Sequence, residues 1–259
     1  DAVGSAKYAA EIAKGKGLKT WMSVNPDYAY GRDSDDTFFW ALKKFSPGFE
    51  IIGKGWPKIF QPDYTEVITQ IARKKPDAIY TSLWGGDLVS FIDQALLYEI
   101  FKNTELFAIN LADYTTMSAV KNLPKGLHSA TRYVAAWPNT QDNRDYDKSY
   151  TDIYGDHPTN WSWEASVGID YLINALKETG STDTKKLAEA IKGKTRKSFM
   201  GVGDGNTVSI RDRDQTIVDY SIGWGTTISD EPYMTGIQGA DWNTIKELEN
   251  EWLTDKGWL

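Results

Sequence analysis

The sequence predicts an α/β protein built on an open parallel sheet, and three observations carry that prediction. From the start to about residue 133, short β-rich runs alternate with longer amphipathic stretches, the rhythm of parallel strands and their covering helices. The strand-like runs give way to turn-forming groups, Asn25-Pro26-Asp27 after one and Gly85-Gly86 after another. From residue 138 the pattern changes to helical segments in succession and closes in a mixed stretch.

In order along the chain, residues 1–14 read as an amphipathic helix with no leader-like apolar core. The chain is therefore expected either to be mature or to lack its front. Leu18 to Val24 is the first strand, and Phe38, Phe39, Leu42 and Phe45 recur at helical spacing within a helix from about Tyr30 to Lys44. Phe49 to Gly53 is the second strand, and Asp63 stands where an N-cap is expected for a helix from Tyr64 to Lys74. Ala78 to Ser82 is the third strand, with Asp87 expected to cap a helix carrying Leu88, Phe91, Ile92, Ala95 and Leu96. Leu106 to Ile109 and Gly126 to Thr131 are the fourth and fifth strands. Helices follow at 142–154, 161–179 and 184–192; 201–206 is a turn, 216–224 alternates like a strand, and 242–252 is helical.

Composition removes several classes of function. The chain has 259 residues, 41% of them hydrophobic and 25% charged, and no apolar run approaches the ~20 residues needed to span a bilayer. A net charge of −7 without a Lys/Arg block argues against nucleic acid and against direct attraction to anionic lipid. Without cysteine there is no disulfide framework, thiolate nucleophile or Cys-based zinc site. Eleven Trp and fourteen Tyr are a heavy aromatic load, suited both to cores and to pockets.

His128 in a strand and His157 in a His-Pro turn have no carboxylate at ligand spacing in sequence, so neither a metal site nor a triad is expected. Asp33, Asp35 and Asp36 read as the solvated start of a helix, where acids favour the positive end of the dipole. Asp204-Gly205-Asn206 and Arg211-Asp212-Arg213-Asp214 are turn chemistry without calcium-loop spacing. No cofactor and no metal are expected.

In an open parallel sheet, ligands bind beyond the carboxyl ends of the strands, which directs attention to the loops 25–30, 82–87 and 110–114. The ordered set of an opening helix and strand, an Asn-Pro-Asp-Tyr-Ala-Tyr-Gly turn, Asp63-Tyr64, the run Lys75-Pro76-Asp77-Ala78-Ile79-Tyr80 and a Gly-rich turn resembles the leucine/isoleucine/valine-binding family. These are type I periplasmic binding proteins, with two Rossmann-like lobes that close like a flytrap around a hinge.

The resemblance implies that residues 1–133 form most of lobe two, 134–215 a helical return into lobe one, and 216–259 a crossover strand and C-terminal helix. The leading strands of lobe one would be missing from the chain, leaving apolar helix faces around Val167, Tyr171 and Leu172 to seek a partner by self-association. It further implies a non-enzymatic, periplasmic or lipid-anchored protein that delivers a small solute to the permease of an ABC importer. The alternative is the extracellular sensing domain of a receptor.

Carried over residue by residue, the resemblance places Tyr30 against the solute from the first loop, followed by a Gly that lets the helix start near the ligand. Trp84 is placed there from the second loop, Asn110 and Asp113 from the third, and Trp161 at the head of a later helix. Asp113 has two readings, as partner of a solute ammonium or as cap of the helix that follows, since Asp is a strong N-cap residue. The first implies an amine-bearing solute and the second an uncharged amide or an aromatic acid.

Overall fold

Small residues decide how the first helix packs. α1 (Ala2–Lys16) buries Val3, Gly4, Ala6, Ala9, Ala10 and Ala13, and Gly17 ends it in the left-handed region at φ 71°. The computed structural model describes residues 1–259. They form two units, residues 1–131 with 223–259 and residues 132–222.

The first unit follows the predicted alternation: β1 (Thr20–Val24), α2 (Ala29–Phe45), β2 (Glu50–Gly55), α3 (Thr65–Lys74), β3 (Ala78–Thr81), α4 (Gly85–Leu97), β4 (Glu105–Ala108), α5 (Tyr114–Ala119) and β5 (His128–Thr131). After residue 222 the chain adds β9 (Gly223–Thr227), β10 (Met234–Gly239) and α9 (Trp242–Asp255). The seven strands are ordered β10-β9-β5-β4-β3-β1-β2. The first five in sequence run parallel, whereas β9 lies antiparallel to both β5 and β10. All the loops leaving β1 to β4 therefore emerge at one edge of the sheet.

An aromatic core packs against this sheet. Trp21 is fully buried, ringed by Phe38, Phe39, Phe49 and Phe107 at centroid distances of 5.3 to 6.4 Å, and Tyr80 stacks on Phe38 at 3.7 Å. α9 is tied to α2 by Trp40 Nε1 donating to Asp255 at 2.8 Å and Lys44 pairing with Glu251 at 2.6 Å.

The second unit contains α6 (Gln141–Tyr154), α7 (Asn160–Thr179), α8 (Thr184–Ile191), β6 (Thr195–Lys197), β7 (Thr207–Ile210) and β8 (Ile217–Val218). Its three strands form a small antiparallel sheet in the order β6-β7-β8. Trp163, Val167, Tyr171 and Ala175 recur every fourth position along α7 and form its buried face.

Four sequence expectations are corrected. Residues 216–224 are not one strand: Ile217–Val218 pair with β7, and Gly223 begins β9 in the other sheet. Asp87 does not cap α4, whose N-cap is Trp84; the Asp87 carboxylate, in the first turn, accepts the N–H of Phe60 at 2.9 Å. α3 starts after Tyr64, so Asp63 lies one residue before the N-cap position and accepts Thr65 N–H at 2.8 Å as a local turn. Val167 and Tyr171 are buried, Tyr171 donating its hydroxyl to the Val208 carbonyl at 2.8 Å; the exposed large apolar residues of α7 are Trp161, Ile169, Leu172 and Ile173. No helix is long and apolar enough to cross a membrane.

Candidate functional site

Because β1, β3 and β4 are adjacent and parallel, the loops that leave them are brought side by side. The N-cap residues of α2 and α4 are Tyr28 and Trp84, both extended, and neither helix has a side chain capping it. The partly positive amino end of each helix thus meets an aromatic residue at the sheet edge. Beside α4, a side chain added at Gly85 or Gly86 would meet nothing within 4 Å, so the approach to its first turn is open.

The rings form a continuous group. Tyr28 and Tyr30 lie 5.8 Å apart, and Trp84 Nε1 donates to the Tyr28 hydroxyl at 3.3 Å. Phe60 then stands edge-on to Trp84, at 6.2 Å and 81°. Tyr28, Trp84 and Phe60 expose 39%, 40% and 74% of their surface, which marks an aromatic platform outside the core. Asn110 links the third loop to it: its Nδ2 donates to the Tyr30 hydroxyl at 2.8 Å and to the Ser82 carbonyl at 3.0 Å.

A buried polar network lies directly beneath. Asn25 Nδ2 donates to Asp35 at 3.0 Å, and Asn25 Oδ1 accepts the N–H and the hydroxyl of Ser82. Lys54 pairs with the other oxygen of Asp35. Asp35 is 2% exposed, which corrects its reading as part of a solvated helix start: α2 begins four residues before Asp33, and the Asp35 carboxylate turns inward to fasten loops. Gly31 also has a different reason from the one expected. A Cβ there would lie 2.0 Å from the Pro26 carbonyl, so the glycine admits the loop's own backbone, with no ligand needed to explain it.

The Asp113 carboxylate accepts Thr115 N–H at 3.2 Å and the Thr115 hydroxyl at 2.6 Å, and Asp113 is the N-cap of α5. Leu111, beside it, is fully buried. Of the expected site residues, Tyr30, Trp84, Asn110 and Asp113 all lie in the loops at this edge. Trp161 belongs to the second unit, at the head of α7, where it is 66% exposed and has the Arg132 guanidinium 5.6 Å from its ring centroid. Tyr28 completes the platform, and Phe60 joins it from the β2–α3 loop, which no sequence signal marked.

Away from this edge, His128 is buried with Nδ1 at 3.0 Å from the Tyr8 hydroxyl and Nε2 at 3.0 Å from Glu105. The hydrogen bond from His128, with help from Lys16, holds the Glu105 carboxyl down at about 2, while burial and the nearby Glu105 charge push the Tyr8 hydroxyl up to about 12. His157 Nδ1 lies 2.7 Å from Asp147.

A largely parallel sheet with exposed aromatic rings and open helix ends beyond its strand ends is the arrangement in which open α/β proteins bind their ligands. The family follows from comparison with known proteins. The chain belongs to the periplasmic binding protein family, whose model matches residues 1–223. Its fold is that of the type I members.

A solute binding protein of an ABC transporter from Rhodopseudomonas palustris BisB5, in complex with 3,4-dihydroxybenzoic acid, superposes with a TM-score of 0.79 at 21% identity, over 93% of this chain and 66% of that one. Another from R. palustris HaA2, in complex with p-hydroxybenzoic acid, gives 0.75 at 18%, over 95% and 68%. A leucine binding protein from Thermotoga maritima MSB8 gives 0.70 at 18%, over 92% and 65%. The chain thus spans about two thirds of the length of these structures. No curated protein matches the sequence.

Proposed function

We propose that the protein is an extracytoplasmic solute-binding protein, without catalytic activity, that delivers a flat aromatic acid or a related amide to the permease of an ABC importer. The observation that carries this reading is the aromatic platform at the amino ends of α2 and α4. Rings offer faces to a planar solute, and two helix ends without side-chain caps favour a carboxylate over an ammonium. The capping of α5 by Asp113 points the same way, because a buried ammonium needs a carboxylate partner and this one already serves Thr115. Structures of the same fold whose ligands are 3,4-dihydroxybenzoic and p-hydroxybenzoic acid add support.

In this reading Tyr30, Trp84 and Asn110 contact the solute directly, and Asp113 shapes the third loop. The protein works in the periplasm or on a lipid anchor. The exposed Ile169, Leu172 and Ile173 of α7 are the face through which the chain self-associates, which sedimentation velocity would read directly.

Calorimetry of the protein against benzoate, 4-hydroxybenzoate and leucine tests the reading. The aromatic acids are expected to bind and leucine to bind more weakly; tighter binding of leucine would overturn it.

A further inference from the structure

Phe60 is held where a phenylalanine is not stable by itself. Its φ is 61°, in the left-handed region that disfavours a bulky side chain, and 74% of its surface is exposed. A backbone outlier of this kind persists only when its surroundings over-determine it, and such outliers cluster at ligand clamps. Three bonds fix this one. Phe60 N–H donates to the buried Asp87 carboxylate at 2.9 Å, Lys58 N–H donates to Gln61 Oε1 at 2.9 Å, and Asp27 N–H donates to the Pro57 carbonyl at 2.9 Å. The last draws the β2–α3 loop toward the loop after β1.

The ring so placed stands at 81° to the Trp84 ring, so the two form a corner with perpendicular walls. A planar solute lying flat on one wall presents its edge to the other, and stacked and edge-to-face contacts are the two arrangements aromatic pairs favour. A branched aliphatic group fills such a corner without either preference.

We propose that Phe60 is a specificity-determining residue of the solute site, the second wall of an aromatic corner that selects planar ring acids over aliphatic solutes. The inference rests on the proposed function and assigns it a residue from a fourth loop.

Phe60→Gly separates a selecting role from a structural one, because glycine adopts φ 61° without strain while removing the ring. The variant is expected to melt at or above the wild-type temperature, yet to bind 4-hydroxybenzoate about five- to tenfold more weakly, as expected for losing one aromatic contact. Leucine affinity should change less than twofold, so the preference for the ring acid falls. Phe60→Leu, which keeps apolar bulk without a ring face, should lose most of the same preference. Wild-type binding of 4-hydroxybenzoate with an unaltered preference in Phe60→Gly would overturn this inference alone. A wild type that does not bind 4-hydroxybenzoate would overturn the proposed function and this inference together.

Discussion

Asn25 Oδ1 accepts both the backbone N–H of Ser82, at 2.7 Å, and its hydroxyl, at 2.8 Å, so one side chain after β1 fastens the loop that follows β3. Through Nδ2 the same side chain holds Asp35, which in turn holds Lys54 at the end of β2. Three loops of the platform are thereby set by one buried network. Asn25→Ala leaves the Ser82 N–H and one Asp35 oxygen without these partners. Each such group costs about 1–3 kcal/mol when buried, so a loss of about 2–6 kcal/mol is expected in urea unfolding, with weaker solute binding. A loss below about 0.5 kcal/mol would show that water replaces the side chain freely.

Asp113→Ala removes the cap of α5 and should lower stability by about 1 kcal/mol, the usual effect of deleting an N-cap side chain. Calorimetry with 4-hydroxybenzoate should show an affinity within about threefold of wild type, because helix capping and solute binding are then separate tasks. A large loss of affinity at unchanged stability would reassign the carboxylate to the solute.

These residues were unequally legible. Tyr30 and Trp84 follow strands at their carboxyl ends, so periodicity marks their loops, and the family resemblance picks out the two residues within them. Phe60 sits in Lys-Ile-Phe-Gln, a string with no turn or binding signal, and reaches Trp84 only through bonds to Asp87 and between Pro57 and Asp27. Asp35 was hidden among three nearby acids, since its partner Lys54 lies nineteen residues away. The strand β9 was obscured by its glycines, which lower β propensity, yet a Cβ at Gly225 would lie 2.6 Å from the Thr235 carbonyl. Pairing with β10 demands what the local sequence disfavours.

Tyr30→Ala should weaken 4-hydroxybenzoate about tenfold by removing a ring from the platform. Tyr30→Phe keeps the ring and removes the hydroxyl that accepts from Asn110, whose amide retains the Ser82 carbonyl. Its affinity should stay within about threefold of wild type. Equal losses in the two variants would mean that the hydroxyl, through Asn110, carries the interaction and that the ring face does not.

Glu105 provides a test on acid stability away from the solute site. The hydrogen bond from His128 outweighs the effect of burial and, with Lys16, lowers its folded-state pKa from 4.5 to about 2. A depressed value means that the folded protein keeps Glu105 ionised over a range in which the unfolded chain has taken up the proton. Its stabilisation is therefore complete above about pH 4.5 and is lost as the pH falls through about 2. The full shift corresponds to about 3 kcal/mol, but Glu105 is a quarter exposed and Lys16 half exposed, so solvent screening reduces the expectation to about 2 kcal/mol. Glu105→Gln can still accept from His128 but cannot ionise. The stability gap between wild type and variant, read by urea unfolding, should be about 2 kcal/mol at pH 6 and close to zero at pH 2. Other depressed carboxylates, Asp77 and Asp214 among them, weaken both proteins alike and drop out of the difference. A gap that does not change with pH would mean that the Tyr8, His128 and Glu105 line is held by packing, with the charge on Glu105 contributing nothing.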